Sequence, residues 1–543
     1  MTGLFDLILR AAFSGALLAL VYTRLKLFLL YFQQEEYDDA RFLRWLRAAK
    51  GVDRRLSLIL LAMGLLAAVL PAGGALLALA GGIAGSIHAV YRDQRFLAEA
   101  RKPLVLTQRA NRILRTALGF AALLLLALML LTAGAGPQLL GAILLVQITP
   151  LLLPLANRAL APYEARVQRG FLDEAREKLR KLDPYIVGIT GSYGKTSTKL
   201  ILQHILSTLS QSLATPGSVN TLMGISRIVR EQLKPEHRTF VVEMGAYGPG
   251  SIARLCDLAP PRLSLLTAVG WAHYERFKTI DTVFRAKMEI AEATRARAGK
   301  TIVNVDQVPE ALLRAEIERA GRAGFLLVGR AGGPFQLDVT IEAARQTQEG
   351  IVLTLAFGAE RSEVLVSLFG LHQAANAALA IAAARELGLP MEAIRAALRS
   401  VPQVKHRLEV TRGRPVIIDD GYNSNPEGFR SALDLLDLFG ESTQGARRIL
   451  ITPGMVELGA AHDEAHREIG AYAAPRTDIV LALGPARLAG FLQGLKAGDR
   501  VPEIVELSTQ AEAEAWLKAN ARPEDIVLFE NSLPDLYERP LRL

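Results

Sequence analysis

Tyr185-Ile186-Val187-Gly188-Ile189-Thr190-Gly191-Ser192-Tyr193-Gly194-Lys195-Thr196-Ser197 is the stretch that decides the fold of most of this chain. Its first five residues form a short apolar, β-rich run. A glycine-bracketed turn follows, and an amphipathic helix is expected over 197–208. A strand, a glycine turn and a helix N-terminus in that order gather backbone N–H groups and the positive end of a helix dipole around an anion. Thr190, Gly191, Ser192, Tyr193, Gly194, Lys195, Thr196 and Ser197 are therefore expected to hold the phosphates of a nucleotide. Lys195 would reach the β- and γ-phosphates of ATP, and the Thr196 hydroxyl would ligate Mg²⁺. The loop departs from the common Walker A spacing, with Ile189 where that pattern has glycine, and a bare tight turn is the alternative reading.

Downstream, short β-rich runs alternate with helical stretches, the signature of a parallel α/β sheet. Later runs include Pro415-Val416-Ile417-Ile418, Arg448-Ile449-Leu450-Ile451 and Ile479-Val480-Leu481-Ala482. At 543 residues the chain exceeds a single core, so several domains are expected. One cysteine, Cys256, allows no internal disulfide and no cysteine-based zinc site, and the α/β region reads as cytosolic.

Upstream the character is different. The chain is 50% hydrophobic with a mean hydropathy of +0.23, and the excess lies before residue 160. Apolar stretches run over 11–22, 56–70, 75–90, 113–131 and 139–155, each approaching the roughly 17–25 residues that cross a bilayer as a helix. The second and third, and the fourth and fifth, read as hairpins with uncharged tips, Pro71-Ala72-Gly73-Gly74 and 132–137. Their other ends are basic: Arg41, Arg44, Arg47, Lys50, Arg54 and Arg55; then Arg92, Arg95, Arg101, Lys102, Arg109 and Arg112; then Arg158, Arg166 and Arg169. The positive-inside rule puts these segments, and everything after about residue 158, on the cytoplasmic side. The first stretch, crowded by Arg10, Arg24 and Lys26, is a short span, a tilted one or an interfacial helix. Gly81 and Gly85 are expected to let a neighbouring helix approach closely. A net charge of +9 could suggest nucleic acid, but basic loops beside anionic lipid account for it, and no nucleic-acid partner is expected.

The phosphate loop resembles that of the Mur ligases and folylpolyglutamate synthetases, and further motifs follow in order. Val241-Val242-Glu243-Met244-Gly245-Ala246, Thr267-Ala268-Val269-Gly270-Trp271-Ala272-His273, Ala286-Lys287-Met288-Glu289-Ile290 and Gly370-Leu371-His372-Gln373-Ala374-Ala375-Asn376 resemble segments of the D-Ala-D-Ala-adding branch of the Mur ligases. So do Asp419-Asp420-Gly421-Tyr422-Asn423-Ser424-Asn425-Pro426 and Gly454-Met455-Val456-Glu457-Leu458-Gly459. The resemblance covers about residues 184–535. The apolar stretches upstream give a helical membrane domain (1–160) and a linker helix (161–183), and the resemblance implies a P-loop Mur-ligase central domain (184–405) and a Rossmann-like C-terminal domain (406–543).

The implied chemistry is ATP-dependent joining of a carboxylate to an amine through an acyl-phosphate, at a cell-wall precursor. Lys195, Glu243, His273 and Lys287 are the implied catalytic groups, with Thr196, Glu243, His273 and Lys287 grouped around Mg²⁺. A solvated loop carboxylate and a structural histidine are the plain alternatives for Glu243 and His273. Lys287 matches the lysine that several Mur ligases carbamylate, or is a surface lysine. His372 and Asn376 are implied near the adenine or phosphates, Arg407 at a phosphate or in an interdomain salt bridge, and Asp420 near the ribose. His462 and His466 have i, i+4 spacing, but Asp463 stands where a zincin needs glutamate, so no zinc site is expected.

Three departures concern the substrate. Only about thirty residues separate the last apolar stretch from the phosphate loop, leaving no room for a UDP-sugar domain. Ala268 stands where the family has asparagine, and Glu530-Asn531-Ser532 where it has K-G-S. The expected setting is the bacterial cytoplasmic membrane, with the lipid bilayer and membrane-bound cell-wall enzymes as partners and an amino acid or dipeptide as co-substrate. A lipid-linked precursor is the reading the helices favour. A conventional soluble-substrate ligase, a poly-γ-glutamate synthase and a non-catalytic scaffold are the others.

Overall fold

The structure, a computed structural model, describes residues 2–531 apart from 36, 49–50, 70–71, 99–102, 133, 209–210, 271–276, 422–423, 457, 459–460 and 499. The chain divides into two compact units that meet between Gln168 and Arg169.

The first unit is helical: α1 (Thr2–Gln34), α2 (Asp39–Ala48), α3 (Arg54–Val69), α4 (Ala72–Ala98), α5 (Gln108–Leu131), α6 (Ala135–Ile148) and the start of α7 (Leu152–Leu182). Four helical segments are long and apolar enough to cross a membrane: Asp6–Gln34, Gly74–Ala98, Gln108–Leu131 and the stretch Ala135–Leu182. Two sequence expectations change. The first apolar stretch is not short, because α1 runs through Arg24 and Lys26 for 33 residues. Arg24 is 1% exposed; its guanidinium reaches Asp93 at 3.1 Å and also pairs with Asp53, so its charge is met inside the bundle. Among the described residues, the second stretch forms the 16-residue α3. At 1.5 Å per residue that is about 24 Å, short of a roughly 30 Å hydrocarbon layer.

The basic segment after α1 also folds, as the amphipathic α2, with Phe42 buried and Trp45 stacked on Tyr31 at 4.2 Å. Gly81 and Gly85 do serve close packing: a Cβ at Gly81 would lie 2.5 Å from Met63 Sδ, and one at Gly85 3.2 Å from Leu56 and Ile59, all on α3. Gly82 sits where three helices meet: a Cβ there would stand 2.7 Å from Leu139 on α6 and 2.9 Å from Phe13 on α1. Gly82→Val is expected to lower stability in detergent by about 1–3 kcal/mol through overpacking. Gly119→Val, at a glycine with nothing within 4 Å, serves as the matched control in thermal unfolding.

The second unit holds two sheets. The larger has nine strands, β1 (Tyr185–Thr190), β2 (Ser212–Ala214), β3 (Thr239–Glu243), β4 (Leu263–Leu266), β5 (Lys300–Asn304), β6 (Phe325–Arg330), β7 (Val339–Thr347), β8 (Gly350–Phe357) and β9 (Glu360–Val366), in the order β2-β3-β1-β4-β5-β6-β7-β8-β9. It is parallel from β2 to β7 and antiparallel from β7 to β9. Ile186, Val187 and Ile189 are buried because β1 lies in the sheet interior with helices on both faces, which is why it reads as a continuous apolar run. One face carries α8 (Lys195–Ser207) and the alanine-rich helix Gln373–Glu386. The other carries Leu222–Gln232, Ser251–Leu258, Ile280–Arg295 and the last turns of α7, through Ala175 and Leu179.

The smaller sheet comprises β10 (Glu409–Thr411), β11 (Val416–Asp420), β12 (Arg448–Thr452), β13 (Ile479–Leu483), β14 (Glu503–Leu507) and β15 (Ile526–Glu530), in the order β10-β11-β15-β12-β13-β14. Only β10 is antiparallel. The final strand β15 thus lies between β11 and β12, bringing the end of the described chain beside Asp420.

Candidate active site

Thr190 ends β1, and Gly191–Gly194 make the turn into α8, whose first residue is Lys195. The two glycines are there for space and backbone shape. Gly191 has φ +155° and a Cβ there would stand 1.9 Å from Thr267 Oγ1; Gly194 has φ +79° and a Cβ would stand 2.3 Å from Asn376 Oδ1. The turn is tied down on several sides. Ser192 N donates to Ala268 O at 2.8 Å, and Gly270 N donates to Ser192 Oγ at 2.9 Å. The Thr190 hydroxyl donates to Met244 O at 2.9 Å, and Thr267 Oγ1 donates to Tyr193 O. Asn376 accepts from Thr198 Oγ1 at 3.3 Å and donates to Gln373 at 2.9 Å, so the alanine-rich helix braces α8.

Lys195 Nζ folds back onto Gly191 O at 2.6 Å. Burial lowers its pKa, Glu243 opposes that and Arg407 adds to it. Glu243, the last residue of β3 and 1% exposed, is the hub of the site. Its Oε2 accepts from Thr196 Oγ1 at 3.0 Å and from Lys199 Nζ at 2.9 Å, and its Oε1 from Asn220 Nδ2 at 3.2 Å. Tyr247 OH in turn donates to Asn220 Oδ1 at 2.9 Å. Lys199, fully buried and also bonded to Gly217 O, and Asn220 were not singled out from sequence. A signal for Lys199 was available: it lies one turn beyond Lys195 on a helix whose following residues, Ile201 and Leu202, are core.

Lys287, on the helix Ile280–Arg295, is 4% exposed, and among the described residues no acceptor bonds to its amine. Burial, with Lys195 nearby as a second cause, pushes its pKa down to about 7. It is therefore not a surface lysine. His372 precedes the alanine-rich helix. Its ring reaches solvent but stands amid dense protein with Arg407 nearby, and these two causes hold its pKa down to about 4. Arg407 also acts on Lys195 and Asp420, so Lys195, His372, Arg407 and Asp420 share one electrostatic neighbourhood. Asp420 ends β11, accepts from Leu408 N at 3.1 Å, and is pushed up to about 6, chiefly by burial. His273 lies outside the described residues.

His466 is 1% exposed and both its ring nitrogens are engaged by backbone: Nε2 accepts from Met455 N at 3.0 Å, and Nδ1 bonds His462 O at 2.8 Å. It shapes the turn at Gly454, where φ is +80° and a Cβ would stand 2.6 Å from Nε2.

Residues 189–384 match the Mur ligase middle domain, and residues 406–532 the Mur ligase, glutamate ligase domain. The UDP-N-acetylmuramoyl-tripeptide--D-alanyl-D-alanine ligase of Mycobacterium tuberculosis is 33% identical over 372 residues, spanning 64% of this chain and 70% of that protein. Its Bacillus subtilis counterpart is 28% identical over 384 residues, spanning 68% and 79%. Among solved structures, MurF from Acinetobacter baumannii matches with a TM-score of 0.58 at 26% identity, covering 68% of this chain and 78% of that one. MurF from Thermotoga maritima in complex with ADP matches with a TM-score of 0.55 at 27% identity, covering 69% and 81%. The glycine turn, the strand-end glutamate and the two matched domains agree: the chain belongs to the Mur ligase family, is of the MurF type, and is an ATP-dependent ligase.

Proposed function

We propose that the protein joins an amine to a carboxylate of a peptidoglycan precursor at the cytoplasmic membrane face, through an acyl-phosphate made with ATP. The observation that carries this reading is the convergence of Lys195, Thr196 and Glu243 at the glycine turn, with Lys287 buried nearby and no carboxylate bonded to it among the described residues. The turn's N–H groups and Lys195 hold phosphate oxygens and favour the charge that develops during transfer. Thr196 and Glu243 offer two hard oxygens 3.0 Å apart, the kind of ligand Mg²⁺ takes alongside water and phosphate, and His273 is the further ligand expected from sequence. Mg²⁺ bound there supplies Lewis-acid polarisation of the phosphoryl group. Asn376 borders the turn, and Arg407 supplies a fixed cation near Lys195, His372 and Asp420.

A lysine with a pKa of about 7 is roughly half neutral at pH 7, and a neutral amine is the form that combines with CO₂. Carbamylation, with loss of a proton, would turn Lys287 into a carboxylate able to join the residues that would hold Mg²⁺. Activity is expected to rise with added bicarbonate, and Lys287→Ala to lose most of it together with that response. Bicarbonate-independent turnover in CO₂-depleted buffer would remove this role.

The helices of the first unit support a membrane-embedded enzyme and a lipid-linked precursor. Apolar side chains at Leu58, Leu65, Leu77, Leu123, Leu130 and Leu144 face outward where a soluble bundle would place polar ones. The similarity to MurF enzymes across both ligase domains favours the second reading, a conventional MurF acting on the UDP-linked tripeptide and D-alanyl-D-alanine. ATP-dependent ligation with UDP-linked and undecaprenyl-linked muropeptides side by side, read by product mass, separates them. No product with either substrate would sink both.

A further inference from the structure

Lys199 is an ammonium group in the interior of an α/β domain, with none of its side chain exposed. On α8 it follows Lys195 by one turn, and both amines act on Glu243. The Lys199 amine has two acceptors, Glu243 Oε2 at 2.9 Å and Gly217 O. Gly217 belongs to the loop between β2 and the helix Leu222–Gln232, and that loop also grips Glu243. Thr215 Oγ1 accepts from Glu243 N at 3.1 Å, and Asn220 Nδ2 donates to Glu243 Oε1 at 3.2 Å. Gly245 N donates to Asn220 O at 3.0 Å, which fastens the loop to the chain just past β3. Lys199 is thus held from two sides, by the carboxylate and by the wall that fixes the carboxylate.

What this leaves for a divalent cation follows from lone pairs and charge. A carboxylate offers about four lone-pair positions. Oε2 already accepts from Thr196 Oγ1 and Lys199 Nζ, and Oε1 from Asn220. Negative charge is scarcer still. Lys199 cancels the charge of Glu243 at hydrogen-bond distance, and Lys195 adds a second positive charge beside them. His273, the further ligand expected from sequence, would bring none. A dication leaving water for this site meets no net negative charge to repay its lost hydration. Nucleotide phosphates reverse the balance, because they bring several negative charges and further oxygens to the turn beside Thr196.

We propose that Lys199 is a positioning residue for the metal: the resident counter-ion of Glu243, which keeps the site from holding a divalent cation until nucleotide phosphates arrive. This rests on the ligase reading and deepens it, by giving a buried lysine beyond the phosphate-binding residues control over when the metal binds. A lysine that served the fold alone would do the opposite on removal, since loosening the site would weaken metal binding rather than strengthen it.

Full-length, nucleotide-free protein in detergent and CO₂-depleted buffer, where Lys287 keeps its amine, is titrated with Mn²⁺, and the free ion is read by electron paramagnetic resonance. Lys199→Gln and Lys199→Met are expected to bind Mn²⁺ at least about tenfold more tightly than wild type, whereas Lys199→Arg, which keeps the charge, stays within about twofold of it. Mn²⁺ alone should raise the melting temperature of the two neutral variants and leave that of wild type unchanged. Lys199→Gln retains N–H donors for both acceptors and Lys199→Met does not, so either one that folds serves. Adding Glu243→Gln to a neutral variant should abolish the gain. Wild type that binds Mn²⁺ as tightly as the neutral variants overturns the proposal. So do neutral variants that bind it no better than wild type, a Lys199→Arg that binds as they do, and a gain that survives Glu243→Gln. Wild type that binds ADP in calorimetry neither with nor without Mn²⁺ would be a failure of the ligase reading instead.

Discussion

Lys195→Ala is expected to cut ATP turnover by about 10²–10³-fold, the usual cost of deleting one fixed donor to developing charge. The lysine stands at the first position of α8 and its amine lies over the glycine turn, 2.6 Å from Gly191 O. Neither neighbouring lysine replaces it. Lys199 is committed to Glu243 and Gly217, and Lys287 has a pKa of about 7, so it is only partly charged at neutral pH. The loss should appear in kcat more than in the KM for ATP, because the turn's N–H groups still hold the phosphates. Phosphate release under saturating substrates measures it, with the melting temperature as a check on folding. Retention of more than about a tenth of the activity would mean the lysine is not the phosphoryl clamp.

The second large effect is on stability. Glu243 and Lys199 are an ion pair with 1% and 0% of their side chains exposed. Removing one partner of such a pair leaves a charge buried without compensation and costs about 3–5 kcal/mol. Glu243→Ala is therefore expected to lower the melting temperature sharply, in addition to removing an oxygen from the proposed Mg²⁺ site. The double variant Glu243→Leu with Lys199→Met should recover most of the lost stability, because an apolar pair carries no desolvation debt, yet remain inactive. Differential scanning of the single and double variants decides this. A double variant no more stable than the single one would show that the pair is not what makes Glu243 matter to the fold.

The phosphate turn, the strand before it and the helix after it were legible because each is a local device. Glycine at positive φ, a β-branched run and an amphipathic period are properties of neighbouring residues. The parallel parts of both sheets follow the same alternation, and the strands expected near 415, 448 and 479 are β11, β12 and β13, whereas β7, β8 and β9 succeed one another without helices and pair antiparallel, so the parallel sheet expected from the alternation is a mixed one. The first helix was left open between a short span, a tilted one and an interfacial helix for a reason that lies far away in sequence: Arg24 counts against a span until Asp53 and Asp93 are brought beside it.

By itself, then, the sequence determined the class of chemistry, since a glycine turn followed by Lys195-Thr196 commits local backbone to phosphate whatever surrounds it. Tertiary structure decided the electrostatics. Lys287 has a pKa of about 7 only because the helix Ile280–Arg295 turns it inward near Lys195, and Lys199 matters only because β3 ends beside it. Glu530 meets Asp420 only because the last strand inserts between the first two long strands of its sheet, 110 residues along the chain. A charge's pKa and partner depend on what is packed within a few ångströms, and at those distances sequence neighbours are a minority.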